Sequence, residues 1–345
     1  MSYFEYRTKD GAVKQQLRSH TLHPLAPTEV RLRVLAAGLN FRDLYFIRGN
    51  HTRAPVSDRI PLTDAVGIVE SVGKHVTRFR VGDRVCSTVL PNWIDGPLTA
   101  HGLSGSLGSQ ERDGVMAEHL TMDEQELVAA PAHLTDSEAA TLTVAALTAW
   151  HAVVELGALR PGDTVVIQTT GGVAVFAIQF AVALGASVIV VSRSEDKLRM
   201  AQGLGAHSVI NSNDVPSWEE QVMLETADVG AQLVLDMGLS DSLRRSARAA
   251  AFEGTVAIIG VVQTVSNPLD IFPVMNKNLR VRGVETGSRA MFERMNKFIE
   301  AHQIRPVVVA EFNAEQIDRA LDCLANGPFG KVVVRLVPPP AISVS

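Results

Sequence analysis

The chain has 345 residues, a length that accommodates two domains with separate cores. Its composition, 46% hydrophobic and 20% charged, excludes a disordered chain, and a net charge of −5 excludes general attraction to nucleic acid or an anionic membrane. Two cysteines, Cys86 and Cys323, are too few for a disulfide framework or a cysteine-rich zinc site, so two reduced thiols in a cytoplasmic protein are expected.

No apolar run reaches the roughly 18–20 residues of a membrane span. Residues Met1 to Leu25 carry charges throughout and lack a signal-peptide core. Glu29 to Ala37 alternates polar and apolar residues, as a half-buried strand does. Val66 to Val72 and Arg84 to Thr88 read as further short strands, separated by Gly73 and the Val81-Gly82-Asp83 turn. Residues 91–114 are rich in Gly, Ser and Pro without a clear period, the texture of a lid, a binding loop or a lobe. Within them, Trp93 is open to two readings: a wall of a substrate cleft, or an exposed anchor for its own loop.

From Thr135 the texture changes to alternating helices and continuous apolar strands. Thr135 and Glu138 form a capping-box pair that opens a helix predicted to run to Leu156. Strands follow at 164–168, 187–191, 207–210, 232–236, 255–260 and 279–285, with helices at 172–185, 194–204, 217–226, 240–251 and 288–302. Repeated β–α units with apolar strands predict a parallel sheet covered on both faces. Residues 307–311, a helix at 314–325 and residues 331–336 read as a return to the β-rich unit.

The most specific local signal is 163–185. A buried-strand run, Thr164 to Gln168, enters Gly171-Gly172, and an apolar helix follows at once. Strand, tight turn and helix N-terminus make a site for a nucleotide's pyrophosphate, because backbone N–H groups come close there and the helix dipole favours negative charge. Thr170, Gly171, Gly172 and Val173 are the expected contacts. Thr169 and Ala174 take the outer positions of Gly-x-Gly-x-x-Gly, so only the central glycine is kept. An NAD-preferring domain carries an acid at the end of the second strand, and Val190-Val191-Ser192-Arg193-Ser194 has none. Arg193, the Ser192 and Ser194 hydroxyls and Lys197 suit a 2′-phosphate instead, so NADPH is expected over NADH. The competing reading makes Arg193 and Lys197 solvated charges at a helix start. Asn211, Gly260, Val261, Gly287 and Ser288 complete the expected cofactor contacts, Gly260 because ligands bind outside the carboxyl ends of the strands.

Several strings then carry a resemblance. Ala-Ala-Gly-Leu-Asn-Phe-Arg-Asp (36–43), Asp-Ala-Val-Gly-Ile-Val-Glu-Ser-Val-Gly (64–73), Val-Gly-Asp-Arg-Val (81–85), Glu-Ala-Ala-Thr-Leu (138–142), Leu-Thr-Ala-Trp (147–150), Arg-Pro-Gly-Asp-Thr-Val (160–165) and Phe-Gly-Lys-Val-Val (329–333) span nearly the whole chain. In this order they resemble the medium-chain dehydrogenase/reductase superfamily, and within it the zinc-free quinone-oxidoreductase-like and alcohol-dehydrogenase-like branch. The resemblance implies a GroES-like β-rich domain over 1–130, completed by 304–345. It implies a Rossmann domain, a doubly wound parallel sheet, over 131–303, with the substrate cleft between the two.

Zinc-dependent members of that superfamily hold a catalytic zinc at positions that fall here on Asn40, Thr63 and about Val144, with Asp64 where a Glu would stand. An amide, a hydroxyl and an isopropyl group are poor zinc ligands. The structural zinc lobe would fall within 91–114, which has no cysteine. No metal is expected; His101 and His119 would be the residual candidates. Without zinc, hydrogen-bond donors must stabilise charge on the acceptor oxygen. Family position makes Asn40 the first candidate and Tyr45 the second, as a phenolic donor of a hydrogen bond or proton, with Thr63 and Arg42 behind them. Each has a plainer reading: Asn40 as a cap after the strand, Tyr45 as a packing residue, Asp43 and Asp64 as structural carboxylates for nearby arginines. Phe329-Gly330-Lys331 resembles a cofactor-proximal string and implies Lys331 on the nicotinamide side.

The expected protein is therefore a zinc-independent NADPH-dependent oxidoreductase transferring hydride to a quinone or α,β-unsaturated carbonyl. Reversible alcohol, aldehyde or ketone chemistry at C=O is the alternative, and a non-catalytic NADPH-binding sensor or structural protein is the second. Strand 279–285 would form a sheet edge, and edge pairing across a two-fold predicts a homodimer.

Overall fold

A computed structural model describes residues 2–9, 12–19, 23–47, 58–260 and 267–336. The chain opens with an antiparallel pair not foreseen from sequence, β1 (Ser2–Lys9) and β2 (Ala12–Ser19). The predicted alternating strand is β3 (Glu29–Leu39): Val30, Leu32 and Val34 are buried while Glu29, Arg31 and Arg33 stay partly exposed. A short helix, α1 (Phe41–Ile47), follows, then β4 (Asp64–Val72) antiparallel to β3 and β5 (Arg84–Ser87) antiparallel to β4. Residues 91–114 contain a one-turn helix, α2 (Ala100–Leu103), capped by Thr99. Next, β6 (His119–Asp123) pairs with β3 and β7 (Leu127–Ala129) pairs with β5.

The capping box forms as predicted at α3 (Asp136–Ala139): Glu138 N–H donates to Thr135 Oγ1 at 3.2 Å and Thr135 N–H to the Glu138 carboxylate at 2.7 Å. The predicted continuous helix to Leu156 does not. It breaks into α3, a π-helical stretch at Leu142–Ala146, α4 (Leu147–Trp150) and a second π-helical stretch at His151–Leu156. Competing hydrogen bonds account for the first break. Thr141 Oγ1 donates to Glu138 O at 2.7 Å, Thr143 Oγ1 to Ser87 O at 2.9 Å, and Val144 N–H to Asp64 Oδ2 at 3.4 Å.

The second unit, Ala145–Thr286, alternates as predicted. In order come β8 (Thr164–Gln168), α5 (Gly172–Ala183), β9 (Ser187–Ser192), α6 (Glu195–Gly203), β10 (Ser208–Asn211), α7 (Trp218–Glu225), β11 (Ala231–Asp236), α8 (Ser242–Ala249) and β12 (Ala250–Ile258). A short exposed helix, α9 (Ile271–Asn276), leads into the edge strand β13 (Arg280–Gly283). All pairings are parallel, in the order β10-β9-β8-β11-β12-β13. That is the doubly wound Rossmann order, whose ligand crevice opens at the carboxyl ends of the strands where the winding reverses.

The chain then returns through α10 (Arg289–Ala301), β14 (Val308–Asn313), α11 (Ile317–Ala325) and β15 (Lys331–Arg335). β15 lies between β14, parallel to it, and β3, antiparallel to it, so the first unit's sheet runs β14-β15-β3-β4-β5-β7 with β6 on β3. Its core gathers Val30, Leu32, Val69, Val85, Met116 and Val332. Two glycines are sterically required here. A Cβ on Gly38 would lie 2.2 Å from Ala140 O, where the end of α3 rests on β3. Gly330 has φ +95° and would place a Cβ 2.5 Å from Val307 O.

The unit boundaries differ from those expected: the first unit is Met1–Val144 with Gly287–Ser345, so it includes α3 and α10. Hydrogen bonds give the reason for α10, since Asn296 Nδ2 donates to Ala129 O at 2.8 Å and Arg78 Nη2 to Glu293 Oε1 at 2.6 Å. Among the described residues no helix is long and apolar enough to cross a membrane.

Candidate active site

Within the first unit, three strand ends bring a buried polar cluster together. Asn40 follows β3, Asp64 begins β4 opposite Gly38, and Lys331 begins β15, whose next residue pairs with Leu39. The Asn40 side chain does not cap α1. Its backbone N–H donates to Asp43 Oδ2 at 2.7 Å, leaving the amide for other partners. Oδ1 accepts from Lys331 Nζ at 2.6 Å, and Nδ2 reaches Thr63 Oγ1 at 3.4 Å. Thr63 Oγ1 donates in turn to Asp64 Oδ1 at 2.9 Å. Asp64 Oδ2 lies 3.4 Å from Lys331 Nζ and accepts from Val144 N–H. Lys331 Nζ also donates to Leu39 O at 2.7 Å.

Asp64 is 0% exposed, Lys331 3% and Asn40 7%. Buried charges of this kind persist only when paired and hydrogen-bonded, and here both are. The expectation for Lys331 is the nicotinamide side; in the structure its ammonium turns inward and its three protons face three protein acceptors. The antiparallel register of β15 on β3 is the reason. The cation beside Asp64 is Lys331 and not one of the nearby arginines that the plainer reading named. Asp43 is a further buried carboxyl, next to Asn40. Burial pushes its pKa up to about 7 against the Asn40 N–H bond and the Arg42 charge, with the Asp64 charge adding to the rise and that of Lys331 opposing it.

Tyr45 is half-buried on α1 and meets Phe41 edge-to-face at 5.4 Å. Arg42 Nη2 donates to Ser106 Oγ at 3.2 Å, and its guanidinium lies over the Phe46 ring. A cavity of about 10 Å³ between Arg42, Asp43 and Thr63 is too small for an acceptor molecule. Trp93 anchors its loop but is buried and not exposed: its Nε1 donates to Gly96 O at 2.9 Å, and it packs with Val89, Leu90 and half-buried Val144. Cys86 is a buried thiol whose pKa desolvation raises to about 12.

These residues do not fit a zinc ion. The aligned positions supply an amide oxygen already taken by an ammonium, a hydroxyl committed to Asp64, and the aliphatic Val144. Among the described residues no three His, Cys, Asp or Glu side chains form a metal-binding group, and His119 Nδ1 sits 2.9 Å from Glu70.

The second unit carries the glycine turn. β8 ends at Gln168, Thr169 turns the chain at φ +67° while its N–H donates to Val191 O at 2.8 Å, and Gly171 is the N-cap of α5. Thr170 is buried; Gly171, Gly172 and Val173 are partly exposed. Among the described residues no side chain caps α5, and its first-turn N–H groups have no intrahelical partner. A Cβ on Gly171 would meet nothing within 4 Å. Uncapped donors beside open backbone fit a pyrophosphate.

Ser192 and Asn211 are register partners at the carboxyl ends of β9 and β10. Arg193 is exposed beside them, with its carbonyl fixed by Asn213 Nδ2 at 2.9 Å; Lys197 is half-buried one turn into α6. Gly260 follows β12 and is half-buried, while Val261 lies outside the described residues. Gly287 and Ser288 fall in the first unit. The Ser288 hydroxyl, expected at the cofactor, caps α10 by accepting from Met291 N–H at 3.2 Å.

Comparisons with known proteins agree with this architecture. Residues 26–132 match the family described as Alcohol dehydrogenase GroES-like domain, and residues 172–301 match Zinc-binding dehydrogenase, a stretch that excludes Asn40, Thr63 and Val144. A zinc-type alcohol dehydrogenase-like protein of Schizosaccharomyces pombe is 36% identical over 319 residues, covering 90% of this chain and 92% of that protein. The crystal structure of a Sinorhizobium meliloti 1021 protein assigned to the alcohol dehydrogenases superimposes with a TM-score of 0.91 at 37% identity, across 97% of this chain and 99% of that one. An NAD-dependent alcohol dehydrogenase superimposes at 0.84 with 29% identity, across 97% and 100%. The chain, a GroES-like domain joined to a Rossmann-type parallel sheet, belongs to the medium-chain dehydrogenase/reductase superfamily of alcohol-dehydrogenase-like oxidoreductases.

Proposed function

We propose that the chain is a zinc-independent, NADPH-dependent reductase of quinones or α,β-unsaturated carbonyls. The observation that carries the reading is the Asn40 amide, held by Lys331 where zinc-dependent relatives place a metal ligand. The uncapped α5 N-terminus receives the pyrophosphate, and Arg193, with no acid at the end of β9, receives the 2′-phosphate. When bound, the nicotinamide supplies a hydride. Asn40 Nδ2 donates a hydrogen bond to the acceptor oxygen, where negative charge grows. One proton, delivered through Tyr45 and ultimately from solvent, completes reduction of an enone to the saturated carbonyl or of a quinone to the hydroquinone.

A second reading, reversible alcohol and carbonyl redox chemistry, is favoured by the alcohol-dehydrogenase relatives. NADPH oxidation measured against quinones, enones and simple aldehydes separates the two: turnover of the first two classes supports the proposal, and turnover of aldehydes alone supports the second. No turnover of any class contradicts both and favours a non-catalytic NADPH-binding protein.

A second copy of the chain is the partner we propose alongside the small-molecule acceptor. Among the described residues β13 ends the sheet with one side unpaired, and α9 just before it exposes Ile271, Phe272 (67% exposed) and Met275. Light scattering of the purified protein is expected to give a dimer mass, and Phe272→Glu to shift it to the monomer. A monomeric wild type contradicts this assignment.

A further inference from the structure

We infer that Lys331 is a positioning residue for Asn40, an internal cation that fixes which atom of the amide faces the acceptor and strengthens it as a donor. The inference rests on the reading of Asn40 as the acceptor's hydrogen-bond donor.

The orientation follows from donor and acceptor chemistry. An ammonium has three donors and no acceptor, so the Asn40 atom 2.6 Å from Lys331 Nζ must be the amide oxygen. On the other side, Thr63 Oγ1 has spent its single proton on Asp64 Oδ1, so it offers Asn40 only lone pairs and selects the NH2 group. Two contacts thus impose the same orientation, and Asp64 underlies both: one carboxylate oxygen takes the threonine proton while the other sits beside the lysine. One Nδ2 proton points to Thr63 at 3.4 Å, and the second has no acceptor among the described residues.

The lysine also changes the amide electronically. A cation on an amide oxygen draws density from nitrogen, making the N–H a stronger donor, and the effect is large where water is excluded. Lys331 therefore acts on the acceptor's oxygen through Asn40 and not by contact. The lysine sits, in this chain, behind the position that a metal ligand occupies in zinc-dependent relatives.

A buried Lys–Asp pair also stabilises the fold, so loss of activity on mutation is insufficient by itself. The test is a double-mutant cycle between residues 40 and 331, combined with nuclear magnetic resonance of the Asn40 side-chain amide, assigned by its loss in Asn40→Ala. Lys331→Met is expected to lower kcat roughly 10-fold, part of the loss of about 100-fold for one missing oxyanion donor, with the Kd for NADPH within about twofold of wild type. Lys331→Arg should restore most of kcat. In the Asn40→Ala background, Lys331→Met should change kcat less than about twofold, because the residue through which it acts is gone. The Asn40 amide protons should move upfield and exchange faster with water in Lys331→Met. Lys331→Met/Asp64→Asn, which leaves no unpaired buried charge, should show the same amide changes if the single variant does not fold. Amide signals that stay unchanged, or an equal fall in kcat in both backgrounds, would overturn the inference. The amide signals decide the role of Lys331; wild-type turnover separately decides the function on which it rests.

Discussion

Lys331 and Asn40, 291 residues apart in sequence, meet at 2.6 Å because β15 inserts antiparallel beside β3. Gly330 makes the entry possible: its left-handed φ and its approach to Val307 O admit no side chain, and the next residue is thereby delivered to the end of β3. A backbone constraint thus places a buried charge beside the Asn40 amide.

Arg193 is expected to set cofactor preference. Arg193→Ala should reduce the ratio of kcat/KM for NADPH over NADH by about 10- to 100-fold, the worth of one or two charge-assisted hydrogen bonds to a phosphate. The NADH value itself should hardly change. Equal kcat/KM for the two cofactors in the wild type, together with no effect of the substitution, would refute NADPH preference.

Thr169 holds φ +67°, a left-handed conformation that a β-branched residue adopts at a cost of about 1–2 kcal/mol. Thr169→Gly should relieve that strain and, after the entropy lost by glycine, raise stability by about 1 kcal/mol in urea titration. A destabilised Thr169→Gly protein would show that the threonine side chain contributes more than its backbone costs.

Asp43 gives the fold a distinctive pH dependence. Its carboxyl holds a proton up to about pH 7 in the folded chain but only to its ordinary 3.8 when unfolded. Between these values the native state binds more protons. This contribution to stability is therefore full below pH 3.8 and lost as pH rises through about 7. Asp43→Asn should remove the loss, so the difference in Tm between variant and wild type should grow by roughly 2–5 °C from pH 5 to pH 8. A constant difference would contradict a raised pKa at this site.

The parts of the fold written in local periodicity were legible in advance. The strand at 164–168, the helix at 172–183 and the strands at 187–192 and 231–236 are mostly apolar stretches bounded by glycine or polar residues, and each forms within a residue or two of its expected position. The capping box at Thr135 was equally local. The helix that follows it was not, because what interrupts it, the Thr143 bond to Ser87 and the Val144 bond to Asp64, joins residues 56 and 80 positions apart.

The candidate site divides along the same line. Asn40 and Thr63 could be named from family position, and the structure brings them together. The inward turn of Lys331 could not be read, since it depends on the register between β15 and β3. Asp64 is legible as a carboxylate in need of a cation, but the sequence points to an arginine and the structure supplies Lys331. Only three-dimensional pairing identifies that partner and shows that the same carboxylate organises Thr63.

Asn40 is proposed to serve where a metal serves in zinc-dependent relatives. The most direct measurement is NADPH oxidation with an enone or quinone by wild type and Asn40→Ala, each with and without a strong zinc chelator. Wild-type kcat should be unchanged by the chelator, and Asn40→Ala should lose about 100-fold in kcat while NADPH binding persists. Loss of wild-type activity to the chelator, or full activity in Asn40→Ala, would contradict the account.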